Sequence, residues 1–506
     1  MLNRVRLSVS LLCIAASGAV QSLAQVPVGS LNGTVHDQTG GVMQGATVTV
    51  TNRDTGRERQ VVSAVDGSFR VAPLLPGSYT LRAAASGFRT LIETATVQVG
   101  QTTSVDLQMQ VGAATEVVSV QGEAAQIDYD SHTIGGVITR QEIENLPLNG
   151  RSFLNLAMLE PGVTVSANSV GQYNRLFDVN ILGADSGNGS VRITVDGATI
   201  ADSVTGGTQQ NFSQEVVQEF QLSSTNLDLS NAIGAGGAVN IVTRGGTNDF
   251  HGEIFFFDRD HDFSAYPYLQ RDPYEPASPF FARRQSGFHV GGPIKKDKLF
   301  FFTSLEHTNQ TGVYSAFPSD PLFQSFASYA ASPFHENEFD VRLDWLISPK
   351  HSASLRYSHD GNNGYAPPGG GDLPSDWDVN TNWADSGVFA LTSSLSPSLT
   401  NEFRYSYTYW SNTNNPPTAS QCPAPCLGLG MPNISIYGVS NFTIGNATNA
   451  PQSRVLRRNI FQDNISKTKG THNMKFGGYW EYQQGTGTYA YAAPAAAELF
   501  SPEIVE

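Results

Sequence analysis

Residues 232–257 read AIGAGGAVNIVTRGGTNDFHGEIFFF, and this stretch decides how the rest of the chain is understood. It opens with glycines and passes through one apolar run (Val239, Ile241, Val242). It then turns at Arg244-Gly-Gly-Thr-Asn and enters a phenylalanine-rich strand. Glycine lets backbones approach closely and adopt positive φ. The order predicts a joint between a packed domain and the first stave of a sheet that faces an apolar medium.

The bulk properties agree with a β-rich chain. At 506 residues the sequence is too long for one compact domain. Charged residues are only 15%, aromatics reach 10%, and there are 49 glycines, which suits strands and turns rather than helical bundles. A formal charge of −15 argues against nucleic acid as a partner, because phosphate recognition needs clustered Lys and Arg. Beyond the N-terminus no apolar run reaches the ~18–20 residues of a spanning helix. A membrane crossing would therefore have to be a barrel.

Residues 1–24 read as an export signal. Arg4 and Arg6 precede an apolar run over 7–20, and Ser22-Leu23-Ala24 offers a small-x-small cleavage site. Cys13 leaves with the signal. Cys422 and Cys426 remain, in a Cys-Pro-Ala-Pro-Cys run, and in an exported chain a disulfide between them is expected.

Three segments follow. Residues 25–112 alternate strictly, as in Ala46-Thr-Val-Thr-Val-Thr and Ser78-Tyr-Thr-Leu-Arg. Turn signals at Asp66-Gly67, Pro76-Gly77 and Ser86-Gly87 separate the runs, predicting about seven short strands in a small β-sandwich. Residues 113–249 are mixed α/β. Thr139 with Glu142 makes a capping box for a short helix ended by Leu146-Pro147. A second short helix is expected over 154–159, a strand and tight turn over 191–197, and a third helix over 214–220.

From residue 250 onward, nine candidate strands are about 252–259, 283–292, 298–308, 338–347, 351–360, 384–395, 399–410, 457–467 and 471–482. Their lengths lie near the ~9–11 residues of a tilted spanning strand. Phe403, Tyr405, Tyr407 and Tyr409 alternate with Glu402, Arg404, Ser406 and Thr408. Short connections near 293–297, 348–350, 396–398 and 468–470 alternate without exception with long ones near 260–282, 309–337, 361–383 and 411–456. Outer-membrane barrels keep this parity, with short turns toward the periplasm and long loops outside. A soluble sandwich has no reason to. Nine strands are too few to enclose a separate domain, since about eight give a barrel filled by its own side chains. Residues 250–506 are therefore expected to be the N-terminal part of a longer barrel.

Two family resemblances sharpen these expectations. GTVHDQTGGVMQGATVTVTN followed by DGSFRVAPLLPGSYTLRAAASGF closely resembles the carboxypeptidase regulatory-like domain. It covers an accessory sandwich only, and His36 has no zinc-ligand companions there. GGVITRQEIENLPLNGRSFLNLAMLEPGV, VRITVDGATI and QEVVQEFQLSSTNLDLSNAIGAGGAVNIVTRGGTNDFHG are similar to the plug of TonB-dependent receptors of the Oar-like branch. One departure is Ser230-Asn231-Ala232, where the family often carries Tyr or Phe with a Gly. The resemblance implies a barrel of about 22 strands, an outer-membrane location, and a TonB-type energy-transducing protein as partner beside membrane lipid and an unidentified substrate. It implies no enzyme activity and no cofactor.

Site residues follow from that reading. Glu116, Val117, Val118, Ser119 and Val120 are the candidate coupling segment, able to pair with the partner as an added strand; the first strand of the plug is the plainer alternative. Gly234, Gly236, Gly237, Gly245 and Gly246 are expected at the plug–barrel seam. Tyr266, Tyr268, Tyr365, Trp377 and Trp383 are candidates for substrate contact, with loop packing or an interface girdle as the alternative. No metal site is expected. His335-Glu-Asn-Glu338 sits in a predicted outer loop without a third ligand, and Asp258, Asp260 and Asp262 lack the glycine and the final Glu of a calcium loop. A surface adhesin or scaffold using the sandwich and outer loops is the rival reading; it would need neither plug motifs nor loop parity.

Overall fold

The computed structural model describes residues 28–112, 117–119, 134–146, 148–167, 177–186, 190–202, 206–225, 236–265, 280–316, 318, 320–367, 373–396, 398–424, 426–437, 442–469, 472–490 and 496–500. The expected export signal, Glu116, Val120, Gly234, Tyr266 and Tyr268 lie outside these residues.

Threonine–valine alternation turns one face of each N-terminal strand inward. The strands β1 (Gly29–Asp37), β2 (Thr47–Asn52), β3 (Glu58–Val62), β4 (Ser68–Leu74), β5 (Gly77–Ala84), β6 (Thr90–Val97), β7 (Thr102–Ser104) and β8 (Leu107–Met109) form two sheets. Leu31, Val48, Val50, Leu81 and Leu107 fill the space between them. Each such side chain contributes roughly 1.5–3 kcal/mol on burial. A further strand, β9 (Val117–Ser119), runs parallel to β6, with Thr90 opposite Val117 and Ile92 opposite Ser119. These residues were expected to open the next domain. Their backbone instead joins the sandwich at the edge of its β3–β2–β5–β6 sheet.

The second segment is built from β10 (Ile134–Ile138), α1 (Arg140–Asn145), β11 (Val163–Ala167), β12 (Phe177–Ile181), β13 (Ala184–Asp185), β14 (Arg192–Val195), β15 (Ala198–Thr199), β16 (Val217–Thr225) and β17 (Ala238–Thr243). The sheet order β10–β16–β17–β14–β15 encloses Ile143, Phe153, Leu154, Ile193, Phe220 and Ile241. Thr139 caps α1 reciprocally with Glu142. The second short helix is a 3-10 stretch, Phe153–Leu159. The helix expected over 214–220 is only a 3-10 turn, Gln214–Val216, after which the chain becomes β16. That strand is buried on both faces, so its sequence carries no period-2 signal.

The third segment is one antiparallel meander: β18 (His251–Asp260), β19 (Phe281–Lys295), β20 (Leu299–Ala316), β21 (Ser328–Ser348), β22 (His351–Ala366), β23 (Asp378–Ser396), β24 (Leu399–Asn415), then, beyond a loop carrying β25 (Asn433–Tyr437) and β26 (Thr443–Ile444), β27 (Gln452–Lys469) and β28 (His472–Tyr489). The nine strands of the sequence reading are all here, in order. Most are longer than read, because the ladder continues through polar runs such as Asn362-Asn363-Gly364 and Asn380-Thr381-Asn382 that have no apolar alternation. One face carries Ile254, Phe288, Leu305, Leu355, Phe389, Phe461 and Trp480, all exposed. So large an apolar belt marks a lipid-facing wall. Among the described residues no helix is long and apolar enough to cross a membrane.

The long loops fold over one end of the wall. Phe442 packs against Phe323 and Phe326, with Leu373 and Ala316 buried beside them. A last strand, β29 (Ala496–Phe500), pairs parallel with β25 in this layer.

Candidate functional site: a plug bonded to the inner barrel wall

The second segment lies against the inward face of the meander, and the contact is made by charged and polar groups. Its first anchor is a hairpin turn. Asp196-Gly197 joins β14 to β15, and Asp196 takes a left-handed φ of 48°. Asp-Gly is the favoured pair for a two-residue hairpin, because both central positions need positive φ. The turn aims the Asp196 carboxylate at the wall. Arg356 Nη1 on β22 lies 2.8 Å from one oxygen and Arg342 Nη1 on β21 3.5 Å from the other. Thr243 donates to the same carboxylate through its N–H at 3.0 Å and its hydroxyl at 2.7 Å. Burial pushes the Asp196 carboxyl up, but the two guanidiniums and the Thr243 bonds outweigh it and hold it below the usual carboxylate range. Thr243 ends the apolar run of the opening stretch, so the seam is pinned where the chain leaves the plug.

The second anchor is Glu215. The capped helix α1 presents Arg140, whose Nη2 is 2.7 Å from Glu215 Oε2. Gly150 and Arg151 both adopt left-handed φ, 81° and 57°, which brings Arg151 Nη2 to 2.8 Å from Glu215 Oε1. A non-glycine residue there costs roughly 1–2 kcal/mol, offset by the ion pair and by the stacking of the guanidinium over Phe255 and Phe257. From the wall, His289 Nδ1 lies 3.3 Å from Glu215 Oε2. Arg244 donates to His289 Nε2 at 3.2 Å. Because a guanidinium only donates, that nitrogen accepts and the ring proton sits on Nδ1. Burial pushes the Glu215 carboxyl up. The His289 and Arg151 hydrogen bonds and the charges of Arg140 and Arg151 outweigh it and hold it well below the usual range.

Between the anchors the buried segment 209–213 is held by wall carboxylates. Asn211 donates its N–H to Asp360 at 2.9 Å and its side-chain amide to Glu336 at 2.8 Å. Ser213 donates to Glu306 at 2.5 Å. Further round, Arg458 donates to the Ala201 carbonyl at 3.1 Å, and Arg454 faces Asp202 at 3.5 Å. A seam of this chemistry is strong while dry. It can also be exchanged for water bond by bond, which an apolar core cannot.

Of the glycines expected at the seam, Gly245 and Gly246 meet the wall. A Cβ on Gly246 would lie 2.4 Å from the Phe301 carbonyl oxygen and 2.8 Å from that of Gly292, both wall backbone. On Gly245 it would meet Asp344 at 2.6 Å. Gly236 and Gly237, expected at the seam, lie instead inside the plug, against Ala184 and the Ser223 carbonyl, where close packing of plug strands selects glycine.

The sandwich touches the end of the wall with the short turns. Arg57 donates to Ser352 at 3.0 Å, two residues past the turn at Lys350. Asn248 donates its N–H to the Asp54 carbonyl at 2.8 Å and its side-chain amide to Asp297, in the turn before β20, at 2.7 Å. The Val99 N–H donates to Glu219 of the plug at 2.7 Å. Burial raises the Glu219 carboxyl to about 7.

The other predicted residues are placed elsewhere. Trp377 is fully buried in the outer-loop layer against Tyr365 and Tyr314, and the Tyr365 hydroxyl donates to the Pro374 carbonyl at 2.6 Å. Their position is one of loop packing. Trp383 stands on the outer face and donates to Asp385 at 2.7 Å, at a girdle position. Cys422 and Cys426 are joined in a disulfide in the loop between β24 and β25. His335 and Glu338 lie in β21 rather than in a loop, on opposite faces, and cannot share an ion. Among the described residues two clusters bring three metal-ligand-type side chains together, Glu215 with Glu253 and His289, and Asp260 with His261 and Asp262. Guanidiniums already occupy the first. The second is solvent-exposed or half-buried around the His261–Asp260 contact. Sequence reasoning did not find Asp196, Glu215, Arg151, Arg342, Arg356 or Glu219. For Arg342 and Arg356 the one signal was charge at inward strand positions of a charge-poor chain.

A lipid-facing strand wall with a separate domain bonded to its inner face defines a plugged outer-membrane β-barrel. The family model described as outer membrane beta barrel domain matches residues 242–321 and 313–499, together half of the sequence, and the chain belongs to that family. The carboxypeptidase regulatory-like domain matches residues 30–110. The chain is 29% identical over 274 residues to the TonB-dependent transporter Oar of Myxococcus xanthus, covering 51% of this chain and 24% of that protein. Among solved structures, the outer membrane transporter YddB from Escherichia coli aligns with a TM-score of 0.54 at 12% identity, over 70% of this chain and 48% of that one. The siderophore receptor PirA from Acinetobacter baumannii aligns at 0.48 and 18% identity, with the same coverage. The chain thus spans about a quarter of the curated relative and about half of the solved structures.

Proposed function

We propose that this chain forms the plug, the accessory sandwich and the first part of the barrel of a TonB-dependent outer-membrane transporter or receptor. The plug closes the pore at rest. An inner-membrane TonB-type protein draws on residues 116–120, the plug loosens, and an unidentified substrate passes. The observation that carries this reading is the polar seam from Asp196 and Glu215 to Arg342, Arg356 and His289. Such a seam keeps a plug seated without welding it to the wall. The likeness to the Oar transporter supports the same conclusion.

Coupling is tested by capture. The full-length protein in outer-membrane vesicles is incubated with the purified periplasmic domain of the host's TonB-type protein. Deleting residues 116–120 is expected to abolish retention. Undiminished retention of the deletion variant would remove the segment from the mechanism.

A further inference from the structure

The sandwich holds a strand that the fold does not need. Its second sheet is complete as β3–β2–β5–β6, yet β9 is added at the β6 edge in parallel register, Thr90 to Val117, Leu91 to Val118 and Ile92 to Ser119. Open sheet edges recruit strands through their unpaired backbone groups. Here the recruit is residues 117–119, at the centre of the candidate coupling segment.

We infer that the β6 edge of the sandwich sequesters residues 117–119, so that the sandwich and the energy-transducing partner compete for one segment. This rests on the reading of residues 116–120 as the coupling segment. Strand addition by a partner needs the main-chain N–H and C=O groups of an extended segment, and the pairing to β6 engages one side of them. The competitor is also tethered closely. Val111 still bridges Phe88 in the sandwich, only six residues before Val117. A tether that short gives an effective concentration on the order of millimolar, which a soluble partner does not match. The sandwich is itself fixed, to the plug through Val99 and Glu219 and to the wall through Arg57 and Ser352. The segment is therefore held against an anchored body. Apparent affinity for the partner falls by the fraction of molecules with the segment free, and anything that shifts the sandwich raises it.

The test locks the pairing. Ile92→Cys with Ser119→Cys places two thiols at directly opposed positions, within disulfide reach. Thr96→Cys with Ser119→Cys is the off-register control, displaced by roughly 13 Å along β6. Both are made in the full-length protein in outer-membrane vesicles and probed with the periplasmic domain of the host's TonB-type protein. The in-register pair is expected to oxidise and the control to stay reduced. The oxidised form is expected to be captured at least about tenfold less well than the same sample after reduction. Wild type treated with reductant controls for the native disulfide and for folding. Equal capture of oxidised and reduced forms overturns sequestration, as does equal oxidation of the off-register pair. Capture that fails for wild type, and for the reduced variant alike, instead brings down the coupling reading on which the inference rests.

Discussion

Asp196 of the plug and Arg356 of the barrel wall are 160 residues apart in sequence and meet at 2.8 Å, both buried. Arg342 and Thr243 complete the carboxylate's shell. Removing the acid leaves the Arg356 guanidinium buried without its ion-pair partner, while Arg342 keeps Asp344 at 2.9 Å, and breaking a buried pair in this way costs about 3–5 kcal/mol. Asp196→Ala is therefore expected to loosen the plug without unfolding the strand wall. In planar bilayers the variant should show frequent channel openings where the parent stays closed. Asp196→Asn keeps the hydrogen-bond shape but not the charge, and should fall between them. A variant as silent as the parent would show that this anchor does not retain the plug.

Glu215 makes an acid-side prediction. Its carboxyl is held well below its ordinary value of 4.5, against the upward push of burial, by His289, Arg151 and Arg140. A group depressed in the folded state stabilises fully above its unfolded value and loses that contribution as pH falls toward the folded one. Plug retention through this anchor should thus be flat from neutral pH down to about 4.5, and weaken only below it. Glu215→Gln should weaken it at every pH and remove the acid limb. Limited proteolysis of the plug across pH 3.5–7.5, measured roughly every half unit, reads this directly. An acid limb that survives in Glu215→Gln would assign it to another carboxylate.

Much of this architecture was legible because lipid and core impose periods. Phe403, Tyr405, Tyr407 and Tyr409 face outward and their neighbours inward, so β24 could be read residue by residue. Loop parity located the turns at Lys350 and Asp297 for the same reason. The legible part stops where a strand leaves the lipid band, as beyond Gly361 in β22, or is covered on both faces, as in β16. The seam was not legible. Glu215 gathers Arg140, Arg151, Arg244 and His289 from elements up to 75 residues away, and no local pattern encodes that meeting. The attachment of β9 to β6 was missed because three residues at a free sheet edge carry no periodic signature.

Sandwich docking should respond to pH in the opposite sense to Glu215. Glu219 is buried, accepts one N–H from Val99, and has its carboxyl raised by burial to about 7 from 4.5. A raised acid binds its proton more tightly in the docked state. To the extent that the sandwich supplies this burial, docking is favoured below about 4.5 and loses strength as pH rises to about 7. Glu219→Gln preserves the acceptor and cannot ionise, so it should dock equally at all pH. A donor–acceptor dye pair on the sandwich and the plug, followed from about pH 5 to 8, should show separation in the parent and none in the variant. Identical curves would mean that Glu219 does not control the contact.

The glycine stretch that opened the sequence makes the most local prediction. Gly246 lies where plug becomes barrel, and a Cβ there would sit 2.4 Å from the Phe301 carbonyl oxygen and 2.8 Å from that of Gly292. Those atoms belong to the backbone ladder of β19 and β20 and cannot rotate away as a side chain could. Either the linker shifts or the ladder opens, and overpacking of this kind costs about 1–3 kcal/mol. Gly478, in β28, has no atom within 4 Å of its Cβ position and serves as the matched control. Gly246→Ala should lower the yield of heat-resistant folded barrel in outer membranes and Gly478→Ala should not. If both behave as the parent, close backbone approach is not what selects glycine at the seam.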